Sequence, residues 1–194
     1  MQTVQAVYHA SSEEKKSTFI AFLCPIEAFE ALHVRLKNEH PKAAHIVWAK
    51  RVFNEYRQIV ENNSDDGEPK GTSGPPILSV MRGFEIVNAG ILIVRYFGGI
   101  KLGTGGLVRA YGNAAKEAIA ASTLVTFEFQ TAVEFFTPFA LLARFEHYCS
   151  TQMLLFQRTF DTQGAYWKMT LSEAQKEAFV SFAGVFETEG FKLL

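Results

Sequence analysis

Residues Arg95–Gly112 read RYFGGIKLGTGGLVRAYG. The length and branching of the segment leading into them predict a buried strand over Ala89–Tyr96. Phe97–Gly106 is glycine-rich: Gly98, Gly99, Gly103, Gly105 and Gly106 free the backbone to turn. Leu107–Ala121 then reads as an alanine-rich helix, small enough on its faces to pack tightly on a sheet. A strand, a glycine turn and a helix in that order leave unpaired N–H groups at the helix start, and such groups attract anions. Thr104 adds a hydroxyl. Arg95, Lys101 and Arg109 add three positive charges close in sequence, and arginine suits bidentate phosphate contacts. No G-K-[ST] follows, as a P-loop requires, and the G-x-G-x-x-G order of a dinucleotide fingerprint is missing. Anion binding and close packing of helix on strand both account for the glycines.

Towards the N-terminus, Glu61–Pro76 has no periodicity and the composition of an ordered loop. Pro75 and Pro76 open a short helix predicted over Ile77–Phe84. Thr3–Ala10 and Lys15–Cys24 read as paired strands with Ser11, Ser12 and Glu13 as their turn. Ile26–His40 carries Phe29, Leu32 and Leu36, with Val34 near the same stripe, and stops at Pro41, which predicts an amphipathic helix. Ala43–Val52 follows as a strand.

After Ser122 the pattern restarts. Leu124–Thr137 alternates as a strand, Pro138–Tyr148 is helical, and Thr151–Phe160 and Ala165–Leu171 are strands joined by Asp161–Gly164. Ser172–Val185 is a helix with Ser172 as N-cap, and Phe191–Leu194 closes as a strand. The order β-α-β-β-α-β predicts a ferredoxin-like domain over 125–194, after a first domain over 1–124. The aromatic series Phe127, Phe129, Phe135, Phe136, Phe139 and Phe145 reads as core.

The chain has 194 residues, 48% apolar and 20% charged, which is globular composition and excludes a disordered tail. Its 19 basic and 20 acidic residues leave a net charge of −1, which excludes nucleic-acid binding by bulk charge. The charge is uneven, with 14 basic and 12 acidic residues over 1–124 against 5 and 8 over 125–194. An anion site therefore belongs to the first domain. Cys24 and Cys149 form no C-x-x-C pair and read as free thiols of a reducing compartment. The N-terminus lacks the apolar core of a signal peptide, and the longest apolar run, Ala89–Val94, is too short to span a membrane. A cytoplasmic protein with no membrane partner is the expectation.

The second chemistry-bearing stretch, Ser64–Leu78 (SDDGEPKGTSGPPIL), is acidic: Asp65, Asp66 and Glu68 fall within four residues. Three readings are open. The carboxylates cap backbone N–H groups and pair with Arg95 or Lys101; they act as general acid or base; or they hold Mg²⁺. Gly67 and Pro69 interrupt any EF-hand spacing, so no metal and no cofactor is predicted. His45 lies in a strand and is either a hydrogen-bonded structural histidine or a site residue. His9, His33, His40 and His147 have no metal-ligand spacing and read as surface. No G-x-S-x-G or S-x-x-K element is present.

The run Arg95-Tyr96-Phe97-Gly98-Gly99-Ile100-Lys101-Leu102-Gly103, continuing through Thr104 to Tyr111, resembles the signature of the YigZ/IMPACT family. Ser64-Asp65-Asp66-Gly67-Glu68-Pro69, with Gly71-Thr72-Ser73-Gly74 and Pro76-Ile77-Leu78, resembles that family's other characteristic stretch. Shorter likenesses are Lys16-Ser17 with Phe19 and Ala21, and His40-Pro41 with Ala43, Ala44 and His45. The resemblance implies an α+β chain: an N-terminal domain similar to the second domain of ribosomal protein S5, then a ferredoxin-like domain similar to the last domain of elongation factor G. It also implies a role in translation. Eukaryotic members regulate translation by binding a partner protein through a further N-terminal domain, and RNA or ribosome binding is the usual proposal for bacterial ones.

The reading that joins these expectations is a non-enzymatic, translation-associated regulator. It would bind RNA or the ribosome through Arg95, Gly98, Gly99, Lys101, Gly103, Thr104, Gly105, Gly106 and Arg109, with Tyr96, Phe97 and Tyr111 available to stack on bases. Two alternatives stand beside it. One is an enzyme holding a small phosphorylated substrate on the same loop, served by Asp65, Asp66 or Glu68. The other is a protein-binding module, for a translation-regulating partner, in which both motifs only lock the two loops together.

Overall fold

The first hairpin turns at Lys15 and Lys16, not at Ser11–Glu13. Both lysines are left-handed (φ 46° and 66°), the conformations of a two-residue loop whose twist matches its strands. The computed structural model describes residues 1–194. It has a two-residue strand, Gln2–Thr3 (β1), and then the hairpin strands Tyr8–Glu14 (β2) and Ser17–Pro25 (β3). Helix Ile26–Glu39 (α1) buries Phe29, Leu32 and Leu36, whereas Val34 points outward at 62% exposure. Strand His45–Phe53 (β4) is followed by Ile59–Ser64 (β5), which lies partly inside the segment expected to be loop. β5 is an edge strand bonded only to β4. Its Glu61-Asn62-Asn63 run needs no continuous buried face there, and ladder pairing outweighs poor strand propensity.

Helix Gly74–Gly83 (α2) starts three residues before the expected Ile77, taking the prolines into its first turn, where a missing N–H costs nothing. Strand Ala89–Tyr96 (β6) has the predicted bounds and is buried along nearly its whole length. Helix Thr104–Ala120 (α3) absorbs Gly105 and Gly106, which were expected in the loop. A two-residue strand, Val125–Thr126 (β7), pairs with β1. The main sheet runs β2-β3-β6-β4-β5, antiparallel throughout. On one face α2 and α3 pack Ile77, Met81, Tyr111 and Ala114 against Phe19, Leu23, Ala49 and Ile91. The other face carries α1, with Phe29 and Leu36 against Ile46, Leu92 and Val94.

The chain divides into two compact units, Met1–Phe127 and Glu128–Leu194. The division lies three residues beyond the expected one because β7 remains with the first unit through its pairing to β1. The second unit comprises Gln130–Pro138 (β8), Leu142–Thr151 (α4), Phe156–Phe160 (β9), Gly164–Ser172 (β10), Glu173–Gly184 (α5) and Lys192–Leu193 (β11). Its sheet order, β11-β8-β10-β9, makes it ferredoxin-like. The fold is thus α+β in two domains, as expected. Ser172 caps α5 in a reciprocal box with Gln175. Phe135, Phe145, Trp167 and Phe179 form the core, with the Phe135 and Trp167 rings stacked at 5.4 Å. Not every phenylalanine of the series is inside: Phe139 is 51% exposed, and Phe136 faces the opposite side of β8, tilted against Tyr166 at 5.1 Å. Strand alternation sends neighbours to opposite faces, so in a sheet with a single core face an unbroken Phe-Phe pair cannot both be core.

Candidate functional site

Asp65 follows directly on β5, and its carboxylate is filled by the backbone it faces. Oδ2 accepts from Gly71 N–H at 2.7 Å. Oδ1 accepts from the N–H groups of Ser73 (3.1 Å) and Gly74 (2.9 Å) and from the Ser73 hydroxyl (2.7 Å). Gly74 begins α2, so the anion also lies at a helix N-terminus. Burial pushes the Asp65 carboxyl up, but the bonds from Gly71, Ser73 and Gly74 outweigh it and hold it below its ordinary value. Asp66, left-handed at φ 45°, accepts the Ile46 N–H at 2.6 Å and pins the loop to β4. Neither aspartate is arranged as a metal ligand or a solvent-facing base. Both bind backbone.

Glu68 is buried against the sheet, where Oε1 accepts from Arg95 Nη1 at 2.5 Å and from the Tyr111 hydroxyl at 2.7 Å. The Glu68 and Arg95 side chains are only 3% and 7% exposed. One carboxylate therefore ties the acidic loop to β6 and α3. Burial, reinforced by the bond to Glu68, drives the Tyr111 phenol far above its ordinary range, so it stays a neutral donor. Two expectations are corrected. Arg95 is not a surface cation but the inward partner of Glu68, with its guanidinium over the rings of Phe19 and Phe97. Tyr111 is fully buried rather than available for stacking. The helical stripe Leu107, Tyr111, Ala114, Ala118 is the sequence signal that places it inside.

The other histidines divide by environment. His45, at the start of β4, donates Nδ1–H to the Asp66 carbonyl at 2.7 Å. Its Nε2 lies 3.9 Å from Glu68 Oε2. His9 and His147 are exposed, but His33 and His40 are half-buried rather than surface. His33 lies against Phe29 and Trp48, and His40 Nδ1 meets the Tyr96 hydroxyl at 2.8 Å, which draws Tyr96 away from a stacking role.

The glycine loop is built differently. Gly98 donates its N–H to Ser17 Oγ at 3.2 Å. A Cβ there would stand 2.0 Å from the Lys16 carbonyl, so only glycine allows the loop to lie on the first hairpin. Gly99 and Gly103 are left-handed (φ 83° and 73°). Gly103 is the N-cap of α3 and brings no side chain to cap it, so the N–H groups of the first turn, from Thr104, Gly105 and Gly106, point outward unpaired. Lys101 and Arg109 are exposed, and no carboxylate holds either. Arg109 Nη1 would be the first atom met by a side chain at Gly105, at 3.7 Å, so this guanidinium folds back over the first turn. Between the two loops opens a cavity of about 530 Å³, walled by His45, Glu68, Arg95, Phe97, Lys101 and Thr104 with Leu102 and Leu107. Phe97, at 51% exposure, is the aromatic at its mouth.

The two thiols lie elsewhere. Cys24 and Cys149 are free and buried, and burial pushes them up to about 12 and about 11, so neither is a poised nucleophile. No helix is long and apolar enough to cross a membrane.

Both loops and the strands that carry them fall within residues 15–119, which match the family model of the Impact N-terminal domain. The chain belongs to the IMPACT family. An IMPACT family member of Haemophilus influenzae is 46% identical over 110 residues, covering 55% of this chain and 53% of that protein. IMPACT family member YigZ of Escherichia coli is 41% identical over 112 residues, covering 55% and 54%. The matched region thus spans about half the length of these two relatives. IMPACT family member YvyE of Bacillus subtilis is 31% identical over 169 residues, covering 85% of this chain and 76% of that protein. A crystal structure described only as a hypothetical protein aligns over 100% of this chain and 95% of its own, with a TM-score of 0.69 and 29% identity.

Proposed function

We propose that this IMPACT family protein is a non-enzymatic regulator working in translation, and that it binds RNA, free or in the ribosome, through the glycine-loop face of its first unit. The place in translation is what the resemblance of its two motifs to the family implies. The observation that carries the binding reading is the unmatched pair Lys101 and Arg109 at the uncapped start of α3. Positive charge beside open N–H groups is a phosphate site, and the exposed Phe97 ring nearby offers a face for an unpaired base. Arg95 contributes indirectly: neutralised by Glu68, it fixes the strand from which the loop departs. Two cations make a weak, salt-sensitive contact, about 0.7 unit of log–log salt slope for each phosphate on a single strand.

The test is sedimentation of cell lysate through a sucrose gradient at low and moderate salt, comparing wild type with Lys101→Glu/Arg109→Glu. Co-migration of the wild type with ribosomes or RNA-containing fractions, lost in the folded double variant, is the expected result. Wild-type protein that stays at the top of the gradient at both salts overturns stable ribosome binding.

A further inference from the structure

The cavity between the loops contains polar groups that the fold does not satisfy. His45 Nδ1–H is committed to the Asp66 carbonyl, so Nε2 is the ring nitrogen left for a ligand. Glu68 commits Oε1 to Arg95 and Tyr111 and leaves Oε2 without a hydrogen bond. Nε2 and Oε2 face one another across 3.9 Å, too far for a direct hydrogen bond. The Nε–H of Arg95, in the same wall, is buried and has no acceptor. A buried unpaired donor of this kind is costly. A ligand bringing hydroxyls, which both donate and accept, suits the three groups together.

We infer that the cleft takes the sugar of a ribonucleotide, its 2′,3′-cis-diol bridging His45 Nε2 and Glu68 Oε2, with one O–H donated to the carboxylate. A carboxylate accepting from ribose hydroxyls is an established mode of nucleotide recognition. The rest of the wall fits the same ligand. Lys101 and the N-terminus of α3 lie at the phosphate end, and Phe97 with Leu102 and Leu107 offers an apolar face to a base. A volume of about 530 Å³ accommodates one nucleotide rather than a helix. This inference rests on the RNA reading and narrows it: the nucleotide held is the 3′-terminal residue of a single strand, the position in an RNA where both hydroxyls are free. A free ribonucleoside monophosphate carries the same chemistry.

The experiment measures fluorescence anisotropy of a 5′-labelled single-stranded RNA ending in a 2′,3′-diol against the same strand ending in a 2′,3′-dideoxynucleotide. Wild type, His45→Ala and His45→Gln are compared, each first shown folded by its thermal melt. Wild type is expected to prefer the diol end by about tenfold, the worth of a hydrogen bond to a charged or buried acceptor. The preference should fall towards one in His45→Ala and recover in part in His45→Gln, whose amide still bonds a hydroxyl. Equal wild-type affinity for both strands overturns the diol site and leaves the RNA reading standing. If neither strand binds, the RNA reading fails, and titration with adenosine 5′-monophosphate and its 2′,3′-dideoxy counterpart decides the site. Binding of the diol form alone upholds the site for a free nucleotide, and binding of neither or of both equally overturns it.

Discussion

The acidic loop around Asp65 and the glycine loop around Lys101 carry comparable charge in sequence, and the fold uses the two in opposite ways. In the acidic loop all three carboxylates are engaged inside the protein: Asp65 on the start of α2, Asp66 on β4, Glu68 on Arg95 and Tyr111. In the glycine loop only Arg95, at its root, is matched, while Lys101 and Arg109 remain open to solvent. The difference shows that a motif's charge says little about function until its partners are known. One loop is a clasp and the other is a face.

The comparison predicts a graded series of effects on stability. Glu68→Ala should be the most damaging, by about 3–5 kcal/mol, because it leaves Arg95 charged, buried and unpaired. Denaturant unfolding measures this, and a loss under about 1 kcal/mol would show that the clasp is not built around Glu68. Asp65→Ala removes four hydrogen bonds at the α2 terminus and should cost about 2–3 kcal/mol. Since the folded Asp65 carboxyl lies below its ordinary 3.8, its contribution is complete above that value and disappears as pH falls through the lower folded value. Asp65→Asn should therefore flatten the acid limb of a stability–pH profile, and an unchanged limb would contradict the assignment.

Glycines sharpen the contrast within one loop. Gly98→Ala drives a methyl into the Lys16 carbonyl and should destabilise by about 1–3 kcal/mol. Gly105→Ala adds a methyl in open space near Arg109 and should raise stability by up to about 1 kcal/mol, since the residue is helical. Paired thermal melts read both, and equal shifts would mean that the loop does not rest on the hairpin as described.

How far the sequence reaches is visible in these residues. β6 was legible to its ends because eight residues of short-range pattern suffice when both faces are covered. The β-α-β-β-α-β order of the second unit was legible for a similar reason: helices and strands there alternate with clear turns. β5 was hidden because an edge strand draws its stability from pairing with β4, a contact 6–16 residues away that composition does not reveal. The two loops were found by their glycines and carboxylates, yet which charges stay free depends on contacts such as Glu68 with Arg95 and Tyr111, separated by 27 and 43 residues. No local pattern records such a meeting. The aromatics show the same limit: Phe97, Tyr96 and Tyr111 stand within one motif, and only Phe97 is left at the surface to stack.

Lys101→Ala/Arg109→Ala should change folding stability least of all, within about 0.5 kcal/mol, because neither side chain has a partner to lose. The same variant tests most directly whether the glycine loop is the face on which RNA is bound. The measurement is the dependence of single-stranded RNA affinity on salt, for wild type and for this variant. The expected result is that the log–log slope falls in magnitude by about 1.4, two phosphate contacts at about 0.7 each, while the melting curve is unchanged. An identical slope in the two proteins would contradict it and place any RNA contact elsewhere on the molecule.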